Sequence, residues 1–399
     1  MKEMVSTEKL LASIDEKGAV DFLRRLVSSN SENPPGKEME IALIIKKELE
    51  SFGMTAELQR VEDNRYNVIG RLEGDSRETL LFNGHMDTVK IGTLENWTCD
   101  PLGGEIHRGR LYGRGSCDMK AGLASMIYAL KALAESGIKR RKSILFTGVI
   151  DEEVFFKGTQ KLIDTDVIRD CVRCYIAEPT DCGLASSLQG AAEFTAVIYG
   201  KSAHTGMAEK GTNAIIPMAD IAVRLKEEGD RLKKLYLQRG QEVFPTINVG
   251  VINGGTDILL VPDRCQMSFD RQVFPEENME SVIEGIKSLF DDVCHFYGVN
   301  GHINCNQFFR PWKAVDGNPA VEAVRRAHRN VTGSLPREII FRGYAEIEML
   351  NRYGIPGALY GPGSIAQAHR PDEFVSIEEM LTAAKTYALI ACDFVTENI

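Results

Sequence analysis

An open α/β fold carrying a second, inserted domain is what this sequence predicts, and three observations carry that prediction. First, short apolar runs recur, each ending near Gly or a charged residue. They are Leu80-Leu81-Phe82 before His85, Ile144 through Ile150 before Asp151, Cys174-Tyr175-Ile176-Ala177 before Glu178, and Ile355 through Tyr360 before the loop holding His369. Such runs read as buried strands of a parallel sheet. Second, the pattern changes near residue 190 to the alternation of half-solvated strands. Third, helix, strand and helix return after about residue 310. The expected architecture is a discontinuous, mainly parallel-sheet domain built from residues 1–189 and 309–399. Residues 190–308 form an inserted α+β domain of ferredoxin-like type. Two domains also suit a chain of 399 residues.

Each element has its own signal. The first segment is helical, with Ser6 or Thr7 as cap and Phe22, Leu23 and Leu26 at helical spacing. Asn33-Pro34-Pro35-Gly36 breaks it, and an amphipathic helix through Ile41, Ile44, Ile45 and Leu49 runs up to Gly53. Strands and helices alternate to about residue 185. Among them, Ala121 to Leu133 is a helix rich in Ala, Leu and Met. Within the insert the expected order is a strand over 192–200, a helix over 213–236, strands over 246–252 and 264–273, a helix over 277–297 and a last strand near 302–307.

Composition excludes several classes. Net charge is −10 with no basic stripe, which argues against nucleic acid, because a phosphate backbone needs clustered Lys and Arg. No run of about 20 apolar residues exists, so no membrane span is expected. The charged start, Met1-Lys2-Glu3-Met4, lacks an apolar signal core, and the nine irregularly spaced cysteines suit reduced thiols. A cytoplasmic protein is therefore expected. Cys171 and Cys174 form a lone C-x-x-C, read as two ordinary thiols in a helix-to-strand passage.

In an open α/β sheet the carboxyl ends of the strands form the ligand-binding edge. His85, Asp118, Glu152, Glu153, Glu178 and His369 follow or adjoin such ends and can converge there. Mixed imidazole and carboxylate ligands favour zinc, cobalt or manganese over magnesium or calcium. In His85-Met86-Asp87 the two outer side chains share one face, so Asp87 can accept the second imidazole N–H and fix its tautomer. Asp118 sits in a Gly-rich turn entering a helix, where it can bridge two cations or simply cap the helix. Asp151-Glu152-Glu153 crowds three carboxylates at a strand end, a costly arrangement unless cations or pKa shifts relieve it. Consecutive residues point in different directions, so one glutamate can bind metal while its neighbour serves as general base. His204 lies in the insert, where an exposed loop histidine is the default reading. His107, His295, His302 and His328 lack supporting context and are assigned to surface or packing.

At this point the residues match a family. Asn83-Gly84-His85-Met86-Asp87, Tyr112 through Lys120, Asp151-Glu152-Glu153, Ala177-Glu178-Pro179-Thr180, Gly200 through His204 and Gly361-Pro362-Gly363-Ser364 stand in the family's order and cover nearly the whole chain. The chain resembles the M20 metallopeptidases, the group of acetylornithine deacetylase, succinyl-diaminopimelate desuccinylase and aminoacylase. The resemblance implies two zinc ions per subunit, with cobalt or manganese as alternatives. Asp118 would bridge them, His85 and Glu178 would complete one, and Glu153 and His369 the other. Asp87 would orient His85, and Glu152 would be the general base. The insert would be a dimerisation domain in a homodimer, and His204 would enter the partner's active site to polarise the scissile carbonyl.

The segment from Gly361 to Glu373 is most similar to the acetylornithine deacetylase branch, as is Tyr344-Ala345-Glu346. Departures also appear. Asp270-Arg271-Gln272 carries Gln272 where many members have a carboxylate-binding Arg, and Glu348 falls where desuccinylases tend to carry Arg. Substrate contacts are assigned to Arg271, Asn248, Gly363, Ser364 and Glu346, with Arg342 and the backbone N–H groups of the Gly361 to Ser364 loop as further donors for a carboxylate. The expected activity is hydrolysis of a small N-acyl amino acid, most readily an N-acetyl one such as N-acetylornithine. The alternatives are a dipeptidase, carboxypeptidase or desuccinylase on the same site. A silent binding protein is disfavoured, because no implied ligand or base is missing.

Overall fold

The computed structural model describes residues 7–397; Ser6, one of the two expected caps, lies outside them. The chain forms two compact units. One contains the residues up to Ser186, Ala314–Phe341 and the residues from Ala345 onward; the other contains Ser187–Lys313 and Arg342–Tyr344. The expected joints at 189/190 and 308/309 thus fall a few residues outward. The strand Trp312–Lys313 pairs antiparallel with Leu188 and Ser187, so the two ends of the insert are bonded to each other.

The sheet of the first unit is parallel at its centre and antiparallel at its edges. Ser143–Val149, Thr79–His85, Cys171–Ile176 and Gly357–Leu359 lie side by side in parallel. Arg65–Leu72 and Thr55–Glu62 extend one side antiparallel, and Leu184–Leu188 extends the other. Register brings the central strands to one level: His85 is opposite Val149, and Ile176 is opposite both Asn83 and Leu359. Residues following these strands therefore emerge along one edge. The central strands are apolar on both faces because helices cover them. Helix Ala121–Glu135 packs along helix Ile377–Thr396, and Leu123, Ile127 and Leu130 are fully buried. Each such side chain contributes about 1.5–3 kcal/mol by leaving water.

Two local expectations are corrected. The N-terminal helix is two helices, Thr7–Ala12 and Glu16–Ser28, because the Asp15 side chain accepts from Gly18 N–H and caps a fresh start. Cys171 and Cys174 both lie on the strand Cys171–Ile176, where main-chain pairing with Thr79–His85 overrides helical continuation. All nine cysteines are free.

The second unit is a four-stranded antiparallel sheet in the spatial order Ile247–Gly254, Arg264–Val273, Gly190–Tyr199, Asn300–Phe309. With helices Ile215–Gln238 and Met279–Tyr297 the chain order is β-α-β-β-α-β, the ferredoxin-like arrangement. Its core joins Phe194, Ala196 and Ile198 with Met267 and Phe269, and with Ile221, Leu225 and Phe290 from the helices. Asn278 caps the second helix by accepting from Ser281 N–H at 2.8 Å, and Gly298 ends it at φ +63°.

Candidate metal centre

The site gathers at the carboxyl edge of the parallel strands in the first unit. His85 is the last residue of its strand and is fully buried. Its Nδ1 stands 2.9 Å from the backbone carbonyl of Asp87, and its Nε2 3.1 Å from Asp118 Oδ1. The Asp87 carboxylate is therefore not the partner that fixes the imidazole, since it lies 3.7 Å away. It accepts instead from the backbone N–H groups of Glu152 and Glu153, each at 3.2 Å. The expectation that Asp87 orients His85 through its side chain is corrected accordingly. The chain turns directly after the strand, which brings the Asp87 carbonyl rather than its carboxylate to Nδ1.

Asp118 sits in the turn that opens helix Ala121–Glu135. Gly115 allows the turn with φ +77°, and a residue that the sequence reading did not single out holds it. The buried Glu373 carboxylate accepts from Cys117 N–H at 2.9 Å and Asp118 N–H at 3.1 Å, and pairs with Arg114 at 2.6 Å. Arg114 and Glu373 both stand in the family-like segments, but their sequence separation hides the pairing. Asp118 Oδ2 lies 3.4 Å from His369 Nε2, which is also 3.1 Å from Glu153 Oε2. The structure thus brings together two sets, His85, Asp118 and Glu178, and Asp118, Glu153 and His369. Within each set the donor atoms lie within 4.8 Å of one another. Glu152 faces the first set, its Oε2 3.9 Å from His85 Nε2.

Electrostatics follow from this crowding. Burial and the neighbouring Asp118 push Glu178 well above the ordinary carboxylate range. Burial, together with Glu178, Glu346 and Glu153, does the same to Glu152. Glu153 is also raised, chiefly by burial. Burial works against a charged His85, but Glu152, Asp118 and Glu178 outweigh it and raise the imidazole well above its usual value. Burial is likewise outweighed at His369, where Asp118 and Glu153 raise the value to about 10. Asp118 alone is lowered, because His369 and His85 overcome the effect of its burial.

The residues fit divalent cations. Glu178 Oε1 is buried and has no hydrogen-bond partner, a costly state that a cation relieves. Two donor sets sharing Asp118 leave room for two ions, and imidazole with carboxylate suits zinc, cobalt or manganese.

Other expected contacts fall elsewhere. Glu346 is completely buried. One of its oxygens accepts from Thr159 Oγ1 at 3.3 Å, and the carboxylate groups with Glu152 and Glu178. It is sealed rather than offered to a substrate side chain. Glu348 lies 3.6 Å from Arg352 on its own helix. Gly363 N–H donates to Glu379 at 2.8 Å and Gly361 N–H to Thr180 Oγ1 at 2.9 Å, while Ser364 Oγ donates to Asp181 at 3.2 Å. That loop therefore has those donors committed. In the second unit Arg271 is buried against Glu277 and so is no free donor for a carboxylate. Gln272 bonds Asp270 and Gln189. Asn248 is exposed on the strand Ile247–Gly254, and Arg342 is exposed. His204 is exposed, with Nδ1 accepting from Gly206 N–H at 3.0 Å. His328 is buried against the Tyr360 hydroxyl at 2.8 Å and serves packing.

A sheet edge that gathers imidazoles and carboxylates around one shared aspartate, with a further glutamate beside them, defines a metal-dependent hydrolase. Residues 81–393 match the sequence profile of peptidase family M20/M25/M40, and the chain belongs to that family. It is 30% identical over 391 residues to the uncharacterized protein YgeY of Escherichia coli K12, covering 92% of each chain. It is 26% identical over 400 residues to a probable succinyl-diaminopimelate desuccinylase of Staphylococcus epidermidis, covering 94% of this chain and 97% of the other. Among solved structures it resembles the aminopeptidase PepT of Bacillus cereus, with TM-score 0.78, 25% identity and coverage of 96% and 99%. The fold also matches a tripeptidase of Staphylococcus aureus, with TM-score 0.81, 21% identity and coverage of 96% and 100%. The protein is thus a metallohydrolase acting on peptide or acyl-amino-acid amide bonds. Among the described residues no helix is long and apolar enough to cross a membrane.

Proposed function

We propose that this enzyme removes a small acyl group from an N-acyl amino acid, preferring N-acetyl derivatives of basic or neutral amino acids, such as N-acetylornithine. The supporting observation is the charge of the site. Asp118, Glu152, Glu153, Glu178 and Glu346 bring five carboxylates together, and two divalent cations carry four positive charges. No surplus positive charge then remains to hold a second substrate carboxylate, whereas a substrate ammonium is tolerated. Arg271, the residue expected to bind a carboxylate, is already paired with Glu277.

His85, Asp118 and Glu178 would hold one cation and Asp118, Glu153 and His369 the other, with zinc as the assigned metal. When bound, such ions act as Lewis acids that polarise a carbonyl and bring the pKa of a water to about 7. Glu152 accepts the proton of the attacking water. Its carboxylate is free of direct hydrogen bonds to the clamp that fixes its backbone, so it can turn toward the leaving nitrogen and return the proton there. His204 donates to the oxygen that becomes negative. The Gly206 N–H occupies Nδ1, which leaves Nε2 as the protonated nitrogen.

The enzyme is proposed to be a homodimer in which His204 serves the partner's site. The strand Ile247–Gly254 lies at the edge of its sheet, with Val251 and Ile252 half exposed. Beside His204, the Leu260 segment carries Ile258 at 90% and Leu259 at 61% exposure. The strand edge carries no charged side chain, and an exposed edge of this kind is a template for pairing. Comparing kcat/KM for N-acetylornithine, N-succinyl-diaminopimelate and unblocked di- and tripeptides tests the substrate reading. The expected order places N-acetylornithine first. A preference for the succinyl substrate would overturn the charge argument, and a preference for peptides would make the enzyme a peptidase.

A further inference from the structure

Behind the metal ligands lies a buried polar relay that the mechanism above does not use. Segment 31–33 is stitched to the stretch after His85: Thr88 N–H donates to the Ser31 carbonyl at 3.0 Å, and Asn33 N–H to the Thr88 carbonyl at 2.9 Å. This places the Asn33 side chain between two acids. Its single amide nitrogen donates one hydrogen to Asp87 Oδ2 at 2.9 Å and the other to Asp151 Oδ1, also at 2.9 Å. Arg65 Nη1 closes on the same Asp151 oxygen at 3.1 Å, and its Nε donates to Glu38 at 3.0 Å. Asn33, Glu38, Arg65, Asp87 and Asp151 are all buried. Asp87 in turn accepts the backbone N–H groups of Glu152 and Glu153.

We infer that Asn33 is a positioning residue: through Asp87 and Asp151 it fixes the turn that presents Glu152 as base and Glu153 as ligand. Three features support this. Asp151 holds φ at +67°, a left-handed conformation that Asp adopts more readily than most residues and that its side-chain bonds to Asn33 and Arg65 hold in place. Two buried carboxylates facing each other repel unless a donor stands between them, and an asparagine amide supplies two hydrogens without adding charge. An aspartate at position 33 would add a third acid, and a longer side chain would push the two apart. Arg65 meets the same Asp151 oxygen as Asn33 and also pairs with Glu38, so the relay ends on a cation, while the second Asp151 oxygen is buried without a hydrogen-bond partner. The Asp87 carboxylate is thus shared between Asn33 and the two glutamate amides, and displacing Asn33 frees the turn.

This inference rests on Glu152 and Glu153 having the roles proposed above, and its test separates the two. Cobalt(II) is titrated into metal-stripped wild-type, Asn33→Ala, Asn33→Ser, Glu152→Gln and Glu153→Gln chains and followed by visible absorption. Melting temperature, kcat and KM are measured on the cobalt-loaded proteins with the best wild-type substrate. Glu152→Gln is expected to bind two equivalents with no turnover, and Glu153→Gln to lose one site. If both keep full metal and rate, the site roles themselves fail. Asn33→Ala is expected to keep KM within about twofold and to lower kcat and the affinity of the Glu153 site by about 10- to 100-fold, the usual cost of removing a supporting hydrogen bond. Asn33→Ser, with one donor left, should fall between. A normal kcat and cobalt spectrum in a folded Asn33→Ala chain would overturn the inference. So would loss of the fold in both Asn33 variants, which would mark the relay as purely structural.

Discussion

His204 presents an imidazole whose tautomer is settled by one short contact with Gly206 N–H. An Nε2–H donor on an exposed segment is suited to a carbonyl oxygen that gains charge, while the same ring caps the short helix Thr205–Lys210 through Nδ1. Replacing it by Ala is expected to lower kcat by about a hundredfold or more, the scale of losing one oxyanion donor. Its proposed service to a partner subunit can be tested by subunit exchange. Mixing inactive Glu152→Gln chains with His204→Ala chains should create heterodimers in which one site has both groups intact. Verified heterodimers with no recovered activity would place His204 in cis or outside catalysis. At this scale the sequence revealed residue types better than bonds. His85, Asp118, Glu153, Glu178 and His369 could be named because strand ends and acidic clusters leave a pattern. That the Asp87 carboxylate serves two backbone amides could not be read, because either partner fits the same two-residue spacing. Glu373 and Asn33 stayed hidden because each acts on residues far away in the chain.

The strand-turn-helix element that carries Asp118 depends on close approach. Gly122 is the second residue of helix Ala121–Glu135, and a Cβ there would fall inside the contact distance of the Ala177 carbonyl oxygen, one residue before Glu178. Main chain cannot step aside as a flexible side chain can, so the helix and the Glu178 segment would separate. Gly122→Ala is therefore expected to cost about 1–3 kcal/mol of stability, although Ala is the better helix former. Because Asp118 and Glu178 share one metal set, affinity for that ion should fall as well. Thermal melts and metal titration check this together. Unchanged stability with unchanged metal affinity would show that the approach has slack. The helix itself was legible from its Ala-, Leu- and Met-rich run, and the insert from its alternating strands. The antiparallel edges of the main sheet were not, because strands such as Arg65–Leu72 and Leu184–Leu188 take their direction from neighbours rather than from their own pattern.

Over the whole molecule, the metal centre links stability to pH through charges that only cations or protons relieve. In the metal-free fold Glu152, Glu153, Glu178 and Glu346 lie above the ordinary carboxylate value of 4.5, with burial the first cause in each. His85 and His369 lie above 6.5, His369 at about 10. In every one of these the folded chain holds its proton more tightly than the unfolded chain. Their contribution is complete below the unfolded value and is lost as pH rises through the folded one. Asp118 has the opposite sign, since its value is lowered. Its contribution is present above the ordinary carboxylate value and lost only in more acidic solution, so it is constant from pH 5 upward. The metal-free protein should therefore melt at progressively lower temperature between about pH 5.5 and 8. Bound cations take the place of the protons, and a ligand at a hundred times its dissociation constant adds about 2.7 kcal/mol. The rise in melting temperature on adding zinc chloride should thus grow across the same interval, while the loaded protein stays nearly level. Thermal melts of chelator-treated and zinc-saturated protein at matched pH measure both curves. A metal-free melting temperature that is flat or climbs toward pH 8 would mean that the acid cluster is relieved within the protein itself, without the cations that the two donor sets are assigned.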